Sequence, residues 1–293
     1  MSNNFRIVTD SSCDMPAKMA DELGLTVVPL SFTRTDGKTY TNYLDEREIK
    51  LKDYYDYLRG KGNSATTAAP GIDLFIDAME EILKAGDDVL YLGFTSGLSA
   101  TYQSGVAAAA ELSEKYPERK IITVDTLCAC GGQGLIVALA VRERENGKSI
   151  EEVAEFTKSM IPKICHVFTV ETLEYLHRGG RVSKTTKVVG GLLNIKPIMH
   201  VTPEGKLEKI GVAKGRKASI EALVVRCKEG GIEPENTLMF INHADCEDDA
   251  LLLKSMLEKE CGAKNIIISN IGPVIGTHTG PGGLAFFYVG NNK

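Results

Sequence analysis

Val89-Leu90-Tyr91-Leu92-Gly93-Phe94-Thr95-Ser96-Gly97-Leu98-Ser99-Ala100-Thr101-Tyr102-Gln103-Ser104 is the stretch on which the reading of this chain turns. Its first four residues form an apolar run of the length and bulk of a buried strand. Glycine and hydroxyl residues follow, and 105–112 has the composition of a helix. A strand that breaks on small polar residues before a helix is how an open α/β sheet builds a ligand loop. The first turn of a helix leaves backbone N–H groups unpaired, and its dipole attracts anions. Ser96, Ser99 and Thr101 add uncharged donors to that end. The same residues also serve as ordinary helix caps worth about 1 kcal/mol each, so the loop by itself leaves both readings open.

Working outward, the strand–helix alternation repeats. A strand is expected at 5–10, then a helix capped by Asp14 and ending near Gly24, then a strand at 26–30. Turn-rich sequence runs through Asp36-Gly37, a charged helix spans 47–58, and 61–70 reads as a loop of small residues. Leu74, Phe75, Ala78, Met79, Ile82 and Leu83 share one helical face. A strand at 121–125 and a helix at 134–144 complete a pattern that predicts a parallel, doubly wound sheet. Ser149 and Glu152 have capping-box spacing, which starts a helix running to about Met160. Ile161-Pro162 breaks it and sets the expected boundary between domains 1–161 and 162–293. Beyond it, strands at 165–170, 197–201, 209–213, 237–242, 265–269 and 284–289, with helices at 218–228 and 248–260, predict an α+β half. The fold class is therefore α/β, with a parallel-sheet N-terminal domain and an α+β C-terminal domain.

The bulk numbers are compatible with this. A chain of 293 residues is long enough for two cores, and 43% hydrophobic with 25% charged residues is globular composition. The 29 glycines suit repeated strand-to-helix turns. A net charge of -5 argues against nucleic-acid binding through a basic surface. No apolar run has the length of a membrane span and Met1-Ser2-Asn3-Asn4 lacks a signal-peptide pattern, so a cytoplasmic location is expected. Seven scattered cysteines fit reduced thiols, and Cys128 and Cys130 read as small residues packed at a strand-to-helix junction, not as zinc ligands. No metal site is expected.

Five segments taken together carry a family resemblance: 9–14, 95–104, 171–183, 193–198 and 272–282. The first is Thr9-Asp10-Ser11-Ser12-Cys13-Asp14, the third includes Arg178-Gly179-Gly180-Arg181, and the last includes Gly276-Thr277-His278-Thr279-Gly280. With these in order along almost the whole chain, the sequence resembles the DegV family of bacterial fatty-acid-binding proteins. The resemblance implies a lipid tunnel with its headgroup site at the junction of two domains. It also implies a role as the binding subunit of a fatty acid kinase, in which a separate ATP-binding subunit phosphorylates the bound acid to an acyl phosphate. Ser96 matches the family's carboxylate-binding serine, with the Gly97 N–H beside it. Thr67 matches the threonine of the family's Thr-Ser-Gln-Pro loop, and His278 matches its C-terminal histidine, with Thr66 and Thr277 flanking them. Arg181 and Arg216 resemble basic positions tied to kinase docking and phosphoryl transfer. Two departures stand out: the loop here is Thr67-Ala68-Ala69-Pro70, and Ala100 replaces the usual glycine.

No P-loop or kinase glycine-loop set is present, so the chain is expected to bind and present its ligand without an ATP site or other cofactor. The expected partners are a long-chain fatty acid, an ATP-dependent kinase subunit and transient contact with a membrane surface. Two rival readings remain: a stand-alone lipid carrier or sensor, and a serine hydrolase using Ser96 and His278. The second lacks Gly-x-Ser-x-Gly around Ser96. Acyl-chain selectivity is expected to depend on Leu98, Leu192, Leu193 and Phe287.

Overall fold

The computed structural model describes residues 4–183 and 194–291. Its first elements are β1 (Phe5–Asp10), a 3-10 turn, α1 (Ala17–Glu22) and β2 (Thr26–Val28). Then come β3 (Leu30–Arg34), β4 (Thr39–Asn42), α2 (Leu51–Arg59), β5 (Ala65–Ala68) and α3 (Ile72–Lys84). The strand that opened the sequence reading is β6 (Asp88–Gly93), followed by α4 (Thr101–Lys115), β7 (Ile121–Asp125), α5 (Gly131–Glu145) and α6 (Ile150–Met160).

Strands β2-β1-β6-β7 lie parallel in that order. All six residues of β6 are buried, because helices cover both faces of the sheet. The strand's period of two decides which helices each side chain meets. Leu90 and Leu92 pack with Val137, Val141 and Val153 of α5 and α6, whereas Val89 and Tyr91 pack with Phe75, Met79 and Leu112 of α3 and α4. The Ser149–Glu152 capping box forms at the start of α6.

After a 3-10 turn at Ile161–Lys163 the chain forms β8 (Ile164–Thr169), α7 (Glu174–Arg178), β9 (Ile195–Val201), β10 (Leu207–Lys214) and α8 (Arg216–Gly230). It continues with β11 (Leu238–His243), α9 (Glu247–Cys261), β12 (Asn265–Asn270), α10 (Pro273–Thr279) and β13 (Leu284–Val289). These six strands make one mixed sheet, β10-β9-β8-β13-β11-β12, parallel only between β11 and β12. One face packs on α8 and α9 through Val167, Ile241 and Phe286. The other presents Phe168, Phe240 and Phe287 to Leu135, Ile136 and Leu139 of α5. Helix α5 is therefore apolar on nearly all sides, as a helix shared between two sheets must be.

Three expectations are corrected. Residues read as turn and loop form a third sheet, β4-β3-β5, which is antiparallel. Its strands are short and partly exposed, and Ala65-Thr66-Thr67-Ala68 has no apolar alternation to betray it. Asp14 does not cap α1, which starts after Pro16; it is buried in the left-handed region (φ 45°), and its carboxylate accepts from the Gly272 N–H at 2.9 Å. His278, whose glycine-flanked setting reads as a loop, lies instead in the short helix α10.

Candidate functional site

Gly272 and Pro273 start α10, proline being compatible with a first helical turn because it has no N–H to leave unpaired. The helix carries His278 against β5, where the β3–β5 ladder sets Thr67 opposite Phe32. Thr67 Oγ1 and His278 Nε2 share a hydrogen bond of 2.9 Å. Gly179, just past α7, lets the imidazole approach: a Cβ there would stand 2.1 Å from His278 Nδ1. Arg181 completes the cluster, its Nε donating to the Leu98 carbonyl at 3.2 Å and its Nη1 to the Gly179 carbonyl. Burial, and then the Arg181 charge, hold His278 down to about 4, so the ring is neutral at neutral pH. Its Nδ1 is buried without a hydrogen-bond partner. Burial also lowers the Arg181 guanidinium.

Thr67, His278 and Arg181 open onto a cavity of about 870 Å³, counting its mouth. The wall is mostly apolar, with Phe94 and Leu98 from the opening loop, Leu176 from α7, Phe168, Val201 and Phe287 from the mixed sheet, and Val274 from α10. Ala68 and Ala69 lie on it too, so the two departures in that loop face the ligand space. Leu192 and Leu193 lie outside the described residues. Parts from both sides of residue 161 thus enclose one space.

The other expected site residues fall elsewhere. Ser96 is half-buried between the lining residues Phe94 and Leu98, and its N–H donates to the Asp125 carboxylate at 3.2 and 3.3 Å. The Gly97 N–H is already engaged, donating to Thr95 Oγ1 at 3.1 Å, while Thr95 Oγ1 donates to the Gly205 carbonyl at 3.0 Å. Thr66 is exposed. Thr277 is buried, its hydroxyl bonded to Tyr54 Oη at 2.6 Å and the Pro273 carbonyl at 2.8 Å. Gly97, Thr66 and Thr277 are therefore not brought to the cavity wall, because neighbouring structure holds their polar groups or turns them to solvent. Arg216 is separately engaged, donating from Nε to Asp249 at 2.8 Å and from Nη2 to Cys246 Sγ at 3.3 Å.

Residues not assigned to the site from the sequence also line the cavity: Ser12, Cys130, His166 and Thr279. His166 Nε2 accepts from the Ala129 N–H at 3.2 Å and Nδ1 donates to the Ile164 carbonyl at 3.0 Å, an arrangement that fixes a neutral ring. No local pattern marks these residues, since each reaches the wall from a different element. Among the described residues, no group of three or more His, Cys, Asp or Glu is placed to hold a metal ion, and no helix is long and apolar enough to cross a membrane.

The fold that carries this site has close counterparts. The Thermus thermophilus DegV family protein, whose structure is described as showing fatty acid binding, is 31% identical, with a TM-score of 0.86 over 98% of this chain and 99% of that one. A DegV family protein from Eubacterium eligens, loaded with heptadecanoic acid, is 25% identical, with a TM-score of 0.85 over 97% and 99% of the two chains. A DegV domain-containing protein of Clostridium perfringens is 40% identical over 289 residues, 99% of this chain and 98% of its own. The sequence profile described as "Uncharacterised protein, DegV family COG1307" matches residues 4–291, and this chain belongs to the DegV family.

Proposed function

We propose that this protein binds one long-chain fatty acid in the apolar cavity and holds its carboxylate at the Thr67–His278–Arg181 end. The observation that carries the reading is the 2.9 Å Thr67–His278 pair at the polar end of a mostly apolar space. The fatty acids bound by the Thermus and Eubacterium proteins support it. Each buried methylene contributes about 0.8 kcal/mol, so a dozen give on the order of 10 kcal/mol. A buried carboxylate costs several kcal/mol unless its oxygens are hydrogen-bonded. Donors to a charged group return about 1.5–3 kcal/mol each. The Thr67–His278 pair uses one of its two protons on its own hydrogen bond; the one it keeps, with a Ser96 hydroxyl turned in from its loop and the Arg181 charge, offsets the cost of burying the carboxylate. The proposed ligand set is Thr67 and His278, with Arg181 providing positive potential and the Ser96 hydroxyl turning in from the loop between Phe94 and Leu98 when the acid is bound.

Presentation of that carboxylate to a separate ATP-dependent kinase subunit, giving an acyl phosphate, is the finer part of the proposal. Donors that are neutral or only partly directed leave a carboxylate oxygen approachable. Ile72 and Leu74, a few residues beyond the lining residues Ala68 and Ala69, are 42% and 46% exposed, and these apolar side chains suit transient contact with a lipid surface. The hydrolase alternative is disfavoured because the hydroxyl beside His278 belongs to Thr67. We place the domain boundary at the Ile161–Lys163 turn, where the parallel sheet ends and the mixed sheet begins.

The test is extraction of purified protein and mass spectrometry of the extract, followed by reloading with defined acids. A stoichiometric long-chain fatty acid is expected. Recovery of no acyl chain, together with failure of the emptied protein to bind one, would overturn the reading. Acyl phosphate, trapped as a hydroxamate when kinase subunit and ATP are added, tests presentation; its absence with lipid retained leaves a carrier.

A further inference from the structure

Besides the headgroup cluster, the cavity wall carries a thiol paired with a carboxylate. Cys130 lines the cavity at the start of α5. Its Sγ donates to Asp14 Oδ2 at 3.1 Å. The other oxygen of that carboxylate is fixed by the Gly272 N–H at 2.9 Å, so the base is itself oriented by a third group. A backbone hydrogen bond from the Gly131 N–H, in the first helical turn, favours the sulfur's anion. Both side chains are buried, at 5% and 2% exposure. Burial pushes the Asp14 carboxyl up to about 7, which gives it far greater basicity than an ordinary aspartate. Burial and the Asp14 charge push the thiol well above its ordinary value, so the sulfur stays protonated until a base removes its proton.

This inference rests on the fatty-acid reading of the same cavity. We propose that Cys130, with Asp14 as its base, is a covalent capture site for electrophilic acyl chains, those carrying a double bond activated by conjugation to a carbonyl. Asp14 accepts the thiol proton, and the sulfur electron pair forms a C–S bond to the β-carbon of the enone. The π pair of the double bond moves to the carbonyl oxygen as an enolate. Asp14 then returns the proton to the α-carbon. The net change is addition of S–H across C=C, so no oxidant, reductant or leaving group is needed. A saturated chain offers no such carbon and occupies the cavity reversibly.

The full chain is incubated with an oxo-octadecadienoic acid whose ketone is conjugated to the diene, and separately with stearic acid. Intact-mass and peptide analysis is expected to give one adduct per chain, mapped to Cys130, with excess stearic acid protecting the thiol. Cys130→Ser is expected to abolish the adduct and Asp14→Asn to slow it roughly a hundredfold, the ordinary contribution of a placed base. If the Asn variant does not fold, mapping and stearic-acid protection decide alone. No adduct, an adduct confined to the partly exposed Cys246 and Cys261, or labelling that stearic acid does not suppress overturns the proposal. Retention of stearic acid without covalent capture sinks this inference only, whereas failure to retain stearic acid sinks the binding reading beneath it.

Discussion

Thr67 and His278 are separated by 211 positions in the chain, yet Oγ1 and Nε2 lie 2.9 Å apart. One comes from a short antiparallel strand, the other from a seven-residue helix after the last βαβ crossover. The polar end of the cavity is therefore completed only when the two halves of the molecule dock.

Truncating this cluster tests the headgroup assignment. Thr67→Val and His278→Ala are each expected to weaken fatty-acid binding about 10- to 100-fold, the worth of one hydrogen bond to a charged group. Ser96→Ala is expected to have a similar effect through its hydroxyl alone. Displacement of a fluorescent fatty acid measures all three, and unchanged affinity in every variant would remove the proposed headgroup site.

The cavity wall sets how much chain fits. Ala285 lines the cavity from β13 and is 6% exposed. Phenylalanine there is expected to shift the retained acids toward shorter chains, at about 0.8 kcal/mol for each methylene excluded. Mass spectrometry of the co-purified lipids reads the shift directly; an unchanged chain-length profile contradicts the assignment of this wall to the acyl tail.

Gly97 is required for close packing and not for its N–H. A Cβ at this position would stand 2.8 Å from the carbonyl oxygens of both Glu204 and Gly205, backbone atoms that cannot turn aside. Gly97→Ala is expected to lower stability by about 1–3 kcal/mol in urea unfolding. Gly71→Ala, whose Cβ meets nothing within 4 Å, is expected to stay within about 0.5 kcal/mol. Equal effects from the two would contradict the packing argument.

Two buried groups give stability opposite pH dependences. His278 titrates at about 4 when folded against an ordinary 6.5, so the unfolded chain binds more protons between those values. Its contribution is present above pH 6.5 and is lost as pH falls to 4, by up to about 3 kcal/mol. Asp14 titrates at about 7 when folded against 3.8, so the folded chain binds more protons there, and its burial penalty appears as pH rises from 4 to 7. Relative to the parent, His278→Gln should therefore gain stability as pH falls from 6.5 to 4. Asp14→Asn should gain stability as pH rises from 4 to 7. Urea titrations across this range check both signs, and parallel pH profiles for parent and variants contradict the assignment.

Much of the architecture was legible in the residues. The all-apolar run in β6, the Ser149–Glu152 box and the apolar sequence of α5 each carry a local signature, because burial on two faces or a capping hydrogen bond constrains neighbouring residues together. The β4-β3-β5 sheet was not legible. Its threonines are held by a ladder to β3 and not by an apolar face, and a ladder leaves no mark on side-chain type. The role of Asp14 was misread for a similar reason. Asp shortly before a proline and a helix looks like a cap, and only the approach of Cys130 and Gly272 from distant parts of the chain gives its carboxylate other donors.

By itself, the order of residues determined most strands and helices of the two larger sheets and which family the chain resembles, since these follow from periodicity, capping and motif spacing. Tertiary structure decided that Thr67, His278 and Arg181 converge, that Gly97 and Thr277 have their polar groups engaged elsewhere, and that Cys130 meets Asp14 at the cavity wall. Such contacts depend on how two sheets dock around α5, and docking is a property of surfaces assembled from distant segments, which no local window of sequence contains.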